Sequence, residues 1–166
     1  NYYYIPKDFY IKALPYKNLF NDFLYSYYIK DKNKDLKVEL YQQKNDVRWR
    51  MKDSTVKIFW VESLEQKEFL AVAIHEFAHF IDIYYFDKKY FIDISDYFYN
   101  ISWKWLKTIK AWQDIKDFVS WYAMTNKYED FAESFTYFVL HNSSFLEKTK
   151  KSEILEKKYN FFEEYL

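Results

Sequence analysis

Apolar residues recur at helical spacing in the first part of the chain. Leu19, Phe23 and Tyr27 lie four residues apart, which places them on one face of a helix. The pattern therefore predicts a helix over Pro15–Lys30. The polar run Asp31–Asp35 then ends it.

Three segments that follow alternate between apolar and polar positions. The predicted strands are Leu36–Gln42, Val47–Met51 and Thr55–Trp60. In the last of them Val56, Ile58 and Trp60 share one face, as expected of a strand with one buried side. Lys57 and Phe59 lie on the other face. An extended peptide substrate could add to this strand if it forms a sheet edge, although an ordinary sheet strand fits the pattern equally well.

The pattern changes to helical after Leu64. The predicted helices are Leu64–Phe86, Asp96–Lys110, Ile115–Ser120, Asn126–Leu140 and Ser152–Tyr165, with an irregular segment at Asp87–Asp96. Three strands followed by helices predict an α+β fold, in which a small N-terminal mixed sheet and one long helix precede a helical C-terminal half. The 166 residues fit a single domain, with an upper part over about 1–86 and a lower helical part over about 87–166.

Composition and charge narrow the function. Lys and Arg (25) balance Asp and Glu (25), so no charged field indicates nucleic acid or an anionic membrane as a partner. The longest apolar run, Phe69–Ile74, is too short to span a bilayer. The chain has no cysteine, so a metal site must use His, Asp or Glu. It has no glycine either, so turns that need a positive φ are expected to use Asn or Asp.

His75, Glu76 and His79 form an HExxH motif inside the long predicted helix. Residues four apart lie about 40° apart around a helix and about 6 Å apart along it, so both imidazoles face one point. This spacing suits two nitrogens that bind one zinc ion at about 2 Å. Glu76 lies about 100° further round, where it can act as a general base without binding the metal. The motif is that of the zincin metallopeptidases.

Polar side chains around the motif are few. Between Phe69 and Phe86 they are, besides the tyrosines, His75, Glu76, His79 and Asp82. Two imidazoles and a carboxylate are costly to bury on an apolar helix unless they have a partner. A metal ion supplies that partner, so the pattern favours a zinc site over a chance match.

A third ligand is expected on the predicted helix Asn126–Leu140. Glu129, Glu133 and Thr136 recur at i, i+4 and i+7, which places them on one side of that helix. Glu129 is the favoured ligand and Glu133 the alternative, whereas a solvated carboxylate near a helix start is the ordinary explanation for Glu129. His141 lies off this side near a helix end, where we expect a capping or surface role instead.

With these residues the chain resembles the gluzincins, zinc peptidases whose third ligand is a glutamate on a later helix. His75–His79 and the segment Tyr122–Phe135, with its Phe-Ala-Glu step, are most similar to the branch of the anthrax lethal factor catalytic domain and the Pro-Pro endopeptidases. The likeness covers about 65–86 and 118–140. Ala78 stands where that branch usually has glycine, and the Trp- and Tyr-rich stretch between the two helices has no counterpart.

The resemblance implies a zincin-like metallopeptidase domain with one Zn²⁺ per chain. The implied zinc ligands are His75, His79 and Glu129. Glu76 is the implied general base, which takes a proton from water and passes it to the leaving amine. These assignments agree with the motif and with the favoured choice of third ligand.

Three further roles follow from the same resemblance. Tyr122, seven residues before the third ligand, would help to stabilise the oxyanion. Glu133 or Asp82 would accept a hydrogen bond from the free ring N–H of a ligand histidine and so fix its orientation.

We expect a zinc-dependent endopeptidase that acts on peptide or protein substrates as a monomer. One alternative is a weakly active or inactive zincin-fold protein that binds a single dedicated partner, and another is a zinc hydrolase that is not a peptidase. Loss of Glu76 or of a ligand would mark an inactive relative, and none is lost. Because the chain begins at Asn1, we expect a processed or trimmed form, and with the resemblance this favours an extracytoplasmic location.

Two groups of aromatic residues remain. Core packing is expected for most of the tryptophans Trp103, Trp105, Trp112 and Trp121, although they could instead line a cleft for sugars or proline-rich peptides. The closing helix Ser152–Tyr165 is expected to pack on the helical half through its apolar side.

Overall fold

The computed structural model describes residues 7–26, 36–46, 49–52, 55–86 and 93–166. The chain divides into two units, residues 1–76 and 77–166, and the division falls inside one helix. The first unit contains α1 (Lys7–Ser26), β1 (Lys37–Tyr41), β2 (Trp49–Lys52), β3 (Thr55–Phe59), a 3₁₀ turn (Val61–Ser63) and most of α2 (Gln66–Ile81). The second contains the end of α2, a π-helical turn (Asp82–Phe86), α3 (Ile94–Ser102), β4 (Trp103–Trp105), β5 (Thr108–Ile109), 3₁₀ turns (Ile115–Asp117, Tyr122–Met124), α4 (Lys127–Leu140), α5 (Asn142–Thr149) and α6 (Glu153–Tyr165).

The first three strands form the mixed sheet that the sequence predicts. β3 lies between its two neighbours, parallel to β1 and antiparallel to β2. Val56 and Ile58 are fully buried, which confirms the predicted alternation. The hypothesis that this strand is an open edge for substrate is wrong, because both of its sides are paired. Trp60 lies beyond the strand and is 38% exposed, so it does not continue the buried face.

The first helix is longer than predicted at its start. α1 begins at Lys7, eight residues before Pro15, which lies inside the helix and lacks the N–H of a regular helical hydrogen bond. Burial of Ala13 and Phe20 and a 2.7 Å hydrogen bond from the Tyr16 hydroxyl to the carbonyl of Leu64 stabilise α1 in spite of this loss. The predicted end at residues 27–30 lies outside the described residues.

Phenylalanines from three helices form the core of the second unit. Phe98 of α3, Phe131 of α4 and Phe162 of α6 are fully buried, and their ring centroids lie 5.2–5.4 Å from one another. Phe77 at the end of α2 contacts Phe135 of α4 edge-on, with centroids 6.2 Å apart. The closing helix therefore belongs to this core, as predicted, and is not an appended tail.

The predicted helix Asp96–Lys110 is wrong in its second half. α3 starts at Ile94, where the Asp93 side chain accepts a 2.9 Å hydrogen bond from the backbone of Ser95, and it ends at Ser102. The next residues form an antiparallel pair, β4 and β5. Aromatic and β-branched residues are abundant in this segment, and such residues favour extended backbone over helix.

Two smaller predictions also fail. The predicted helix Ile115–Ser120 is only one 3₁₀ turn, which ends at Asp117. α5 is missing from the prediction because its apolar pattern is weak: Phe145 is fully buried, but Leu146 is 40% exposed.

Positive φ angles occur at tryptophans rather than at Asn or Asp. Among the described residues Trp60 has a φ of 53° and Trp112 a φ of 72°. A bulky side chain costs about 1–2 kcal/mol in this conformation. In a chain without glycine, turn geometry has therefore overridden the residue preference on which the prediction relied.

The four tryptophans of the second unit differ sharply in exposure. Trp103 is 2% exposed, as a core residue should be, whereas Trp105, Trp112 and Trp121 are 69%, 98% and 76% exposed. The expectation of core packing for most of them is wrong.

Within the part of the chain that the structure describes, one segment is long and apolar enough to cross a membrane. It is Gln66–Phe86, which comprises α2 and the π-helical turn, and 67% of its most apolar stretch is buried in the protein. The core helix of a soluble protein satisfies the same criterion, so this is weak evidence for a membrane span.

We predict that Phe162→Ala lowers the free energy of unfolding by about 3–5 kcal/mol, because a large cavity replaces a fully buried ring. Urea denaturation followed by circular dichroism measures the change. Glu164→Ala, at an exposed position of the same helix, is the matched control and should have little effect. Equal stability of the two variants would show that α6 is not part of the core.

Candidate metal centre

The HExxH motif lies on α2, as predicted. His75 is buried and the His79 side chain is 17% exposed, and the two residues are one helical turn apart. The two apolar residues between them, Phe77 and Ala78, are fully buried. The apolar residues bury the helix, and the repeat of four residues brings the two imidazoles to the same side.

Glu129 is placed by the start of α4. The Asn126 side chain caps this helix by accepting hydrogen bonds from the backbone N–H of Tyr128 at 2.9 Å and of Glu129 at 3.1 Å. Glu129 is thus the third residue of the helix, where the helix dipole favours a negative charge. Its side chain is 19% exposed, so the expectation of an ordinary solvated carboxylate does not describe it well.

One group of side chains in the described residues could hold a metal ion. His75, His79 and Glu129 each offer a ligand atom, and these atoms lie within 4.8 Å of one another. His79 Nε2 and Glu129 Oε2 are 3.6 Å apart. Two ligands at about 2.0–2.1 Å from a tetrahedral zinc ion would be separated by about 3.4 Å. The donor set of two imidazoles and a carboxylate, at these distances, therefore fits zinc.

Glu76 and Asp82 are both buried on the same helical segment. Asp82 accepts hydrogen bonds from the hydroxyls of Ser95 and Tyr99 on α3. Burial raises the pKa of Asp82 to about 6, while these two hydrogen bonds and the nearby His79 favour its charged form. The Asp82 carboxylate is thus bonded to hydroxyl groups of α3, and these bonds tie the π-helical turn after the motif helix to α3.

Ser120 links Glu133 of α4 to the segment just before this helix, which contains Tyr122. The Ser120 hydroxyl donates a 2.6 Å hydrogen bond to Glu133, and its oxygen accepts one of 3.1 Å from the backbone of Ala123. Tyr122 opens the 3₁₀ turn that follows Ser120, and it is 51% exposed. Glu133 is not part of the three-residue metal group and so is less suited than Glu129 to be the third ligand.

His141, the remaining histidine, lies at the junction of α4 and α5. It is exposed, and its ring contacts Tyr137 with centroids 5.3 Å apart. This position agrees with the predicted surface role near a helix end.

Residues 35–166 match the model of a family described as "Putative zinc-binding metallo-peptidase". The chain belongs to this family. The match covers the sheet, the motif helix, α4 and the closing helix, so it includes every residue of the candidate metal centre. No curated protein and no solved structure matches the chain significantly.

Sequence reasoning missed a buried ion pair in this metallopeptidase. Lys158 of α6 and Asp130 of α4 are fully buried, and Lys158 Nζ lies 2.8 Å from Asp130 Oδ2. Burial raises the pKa of Asp130 and lowers the pKa of Lys158, while each group favours the charged form of the other. The signal in the sequence was slight: Lys158 lies three residues after Leu155 and three before Phe161, on the apolar side of the closing helix.

We predict that Glu129→Ala weakens zinc binding by more than about 100-fold, since loss of a ligand should exceed the 10–100-fold effect of losing an outer partner. Competition with a chromophoric chelator measures the dissociation constant. Glu133→Ala is the matched control and should change it far less, because Glu133 bonds to Ser120 and lies outside the metal group. The reverse order of effects would make Glu133 the ligand.

Proposed function

We propose that the protein is a zinc-dependent endopeptidase of the gluzincin type, with one Zn²⁺ per chain. The observation that carries the proposal is the convergence of His75, His79 and Glu129 within 4.8 Å, with Glu76 buried on the same helix. Membership of a zinc-binding metallopeptidase family supports the same function. The resemblance to the branch of the anthrax lethal factor catalytic domain and the Pro-Pro endopeptidases supports the assignment of Glu129 as third ligand.

The proposed chemistry assigns the proton transfers to Glu76. When bound, zinc would activate a water molecule and polarise the carbonyl of the scissile peptide bond. Glu76 would accept a proton from the attacking water as its oxygen adds to the carbonyl carbon. The carboxyl group would then deliver that proton to the amine nitrogen as the C–N bond breaks. Its place next to His75, about 100° round the helix, suits a base that is not itself a ligand.

Three other side chains would support the reaction. Tyr122 would donate a hydrogen bond to the carbonyl oxygen as negative charge develops there. Glu133, which accepts a hydrogen bond from Ser120, or Asp82, which accepts from Ser95 and Tyr99, would accept another from the free ring N–H of a ligand histidine and so fix its orientation. The substrate would be a peptide or protein, and a monomer outside the cytoplasm stays our prediction for the protein itself.

We predict that Glu76→Gln lowers the rate of peptide hydrolysis by about 10²–10⁴-fold while zinc content stays near one ion per chain, because only the proton acceptor is lost. Digestion of casein or a peptide library, with metal analysis of the same samples, measures both quantities. Glu68→Gln, at an exposed position of α2, is the matched control and should behave like wild type.

The same digestion separates the proposed enzyme from its alternative. Cleavage should stop when a chelator removes the metal and should return when zinc is added. If zinc binds but wild-type protein cleaves none of the peptides, the result favours a zincin-fold binding protein with a dedicated partner or a zinc hydrolase that is not a peptidase. Full activity of Glu76→Gln would refute the assignment of the base.

We predict that Tyr122→Phe lowers kcat by about 10²–10³-fold with little change in zinc affinity, because one hydrogen-bond donor to the developing oxyanion is lost. Steady-state kinetics on a cleaved peptide measures kcat and KM. Tyr128→Phe is the matched control, since Tyr128 is also partly exposed near the start of α4 and loses the same hydroxyl. Equal kcat values for the two variants would remove Tyr122 from the mechanism.

A further inference from the structure

The buried pair Asp130–Lys158 is the centre of a hydrogen-bond network that joins four segments of the second unit. Lys158 Nζ contacts both carboxylate oxygens of Asp130, at 2.8 and 2.9 Å, and donates to the carbonyl of Asp117 at 3.0 Å. The indole N–H of Trp103 donates to Asp130 Oδ2 at 2.9 Å. The centroid of the Phe118 ring lies 3.9 Å from Lys158 Nζ. Asp130 thus has directional contacts to β4 and α6.

Asp130 directly follows the proposed ligand Glu129 on α4. Adjacent residues are about 100° apart around a helix, so a constraint on one side chain fixes the direction of the other. A carboxylate oxygen about 5–6 Å from the helix axis moves by about 2 Å when the helix turns by 20°. That displacement equals a whole zinc–oxygen bond of about 2.0–2.2 Å. Small rotations of α4 would therefore separate Glu129 from His79.

The apolar contacts of α4 do not define its rotation as closely. Phe131 and Phe135 pack against Phe162 with centroids 5.4 and 5.9 Å away, and burial of apolar surface is not directional. Charge-assisted hydrogen bonds are directional. A buried ion pair contributes little net stability compared with apolar residues of similar size, and its best-documented role is to specify register. Asp130 lies next to Glu129 on α4, where the rotation of the helix decides whether the Glu129 carboxylate reaches the candidate metal centre.

We propose that Lys158 and Asp130 are positioning residues that set the rotation of α4 and so hold the Glu129 carboxylate within reach of the metal. The proposal rests on the proposed function only in taking Glu129 as a ligand. It assigns to the closing helix a role in metal binding, although Lys158 lies 29 positions after Glu129 in the sequence and is not a member of the metal group.

The test compares zinc affinity with stability in matched variants of the full chain. Asp130→Asn combined with Lys158→Met removes both charges and keeps an acceptor for the Trp103 indole. Leu155→Ala, on the same helix and fully buried, destabilises α6 without touching the pair. Zinc affinity is measured by chelator competition on folded protein, and stability by urea denaturation. The spectrum of Co²⁺ bound in place of zinc reports the ligand set.

The double variant should bind zinc about 10–100-fold more weakly than wild type, which is the range found for partners that orient a ligand. Its Co²⁺ spectrum should also change. Leu155→Ala should keep the wild-type affinity and spectrum while it is folded, whatever its loss of stability. Wild-type affinity of the double variant, or an equal loss in Leu155→Ala, would overturn the proposal. If the double variant does not fold, Trp103→Phe replaces it, because this substitution removes one directional contact to Asp130. Wild-type zinc affinity of Trp103→Phe would also contradict the proposal.

The variant Glu129→Ala distinguishes failure of this proposal from failure of the proposed function. If Glu129→Ala loses zinc and the double variant does not, the metal centre stands and the positioning role is wrong. If neither variant changes zinc binding, Glu129 is not a ligand and the proposed metal centre fails first.

Discussion

The contact between His79 and Glu129 is the interaction on which the candidate site depends. Two imidazoles on one helix supply only two ligands, and the third must come from a distant part of the chain. The 3.6 Å separation of His79 Nε2 and Glu129 Oε2 brings the end of α2 and the start of α4 together at the spacing of two zinc ligands. The edge-on contact of Phe77 with Phe135 packs the same two helices two residues before His79 and six after Glu129. An apolar contact thus accompanies the polar one on the same pair of helices.

Much of this arrangement could be predicted from the sequence, because strong local patterns produce it. The apolar residues of α2 and the HExxH spacing identify the motif helix and the side that carries both histidines. Asn126 before a periodic segment predicts the start of α4 to within one residue. The alternation of Val56 and Ile58 identifies a strand with one buried face. In each case a single segment contains its own signal.

Features that depend on partners far along the chain could not be predicted in this way. The apolar pattern predicts a helix over 103–110, where β4 and β5 pair with each other instead. Glu129 and Glu133 lie on the same side of α4, so the sequence pattern alone does not distinguish them. The structure does, because the Ser120 hydroxyl bonds to Glu133. Lys158 looks like a solvated residue in a helix with several charged positions until Asp130 is found beside it. Sequence patterns show which residues are buried more readily than they show which polar groups meet.

Polar contacts on one side of α4 explain how an aromatic core can support the geometry of the candidate metal centre. Phenylalanine rings fill the second unit, but their packing tolerates small rotations of a helix. Asn126 fixes the first turn of α4 from its end, Lys158 holds Asp130, and Ser120 holds Glu133. These contacts lie at positions 126, 130 and 133, a spacing of i, i+4 and i+7, so they lie on one side of α4, before and after Glu129 in the sequence. A rotation that moved Glu129 away from His79 would have to break at least one of them, so the carboxylate proposed as the third ligand would be oriented by groups that do not bind the metal themselves.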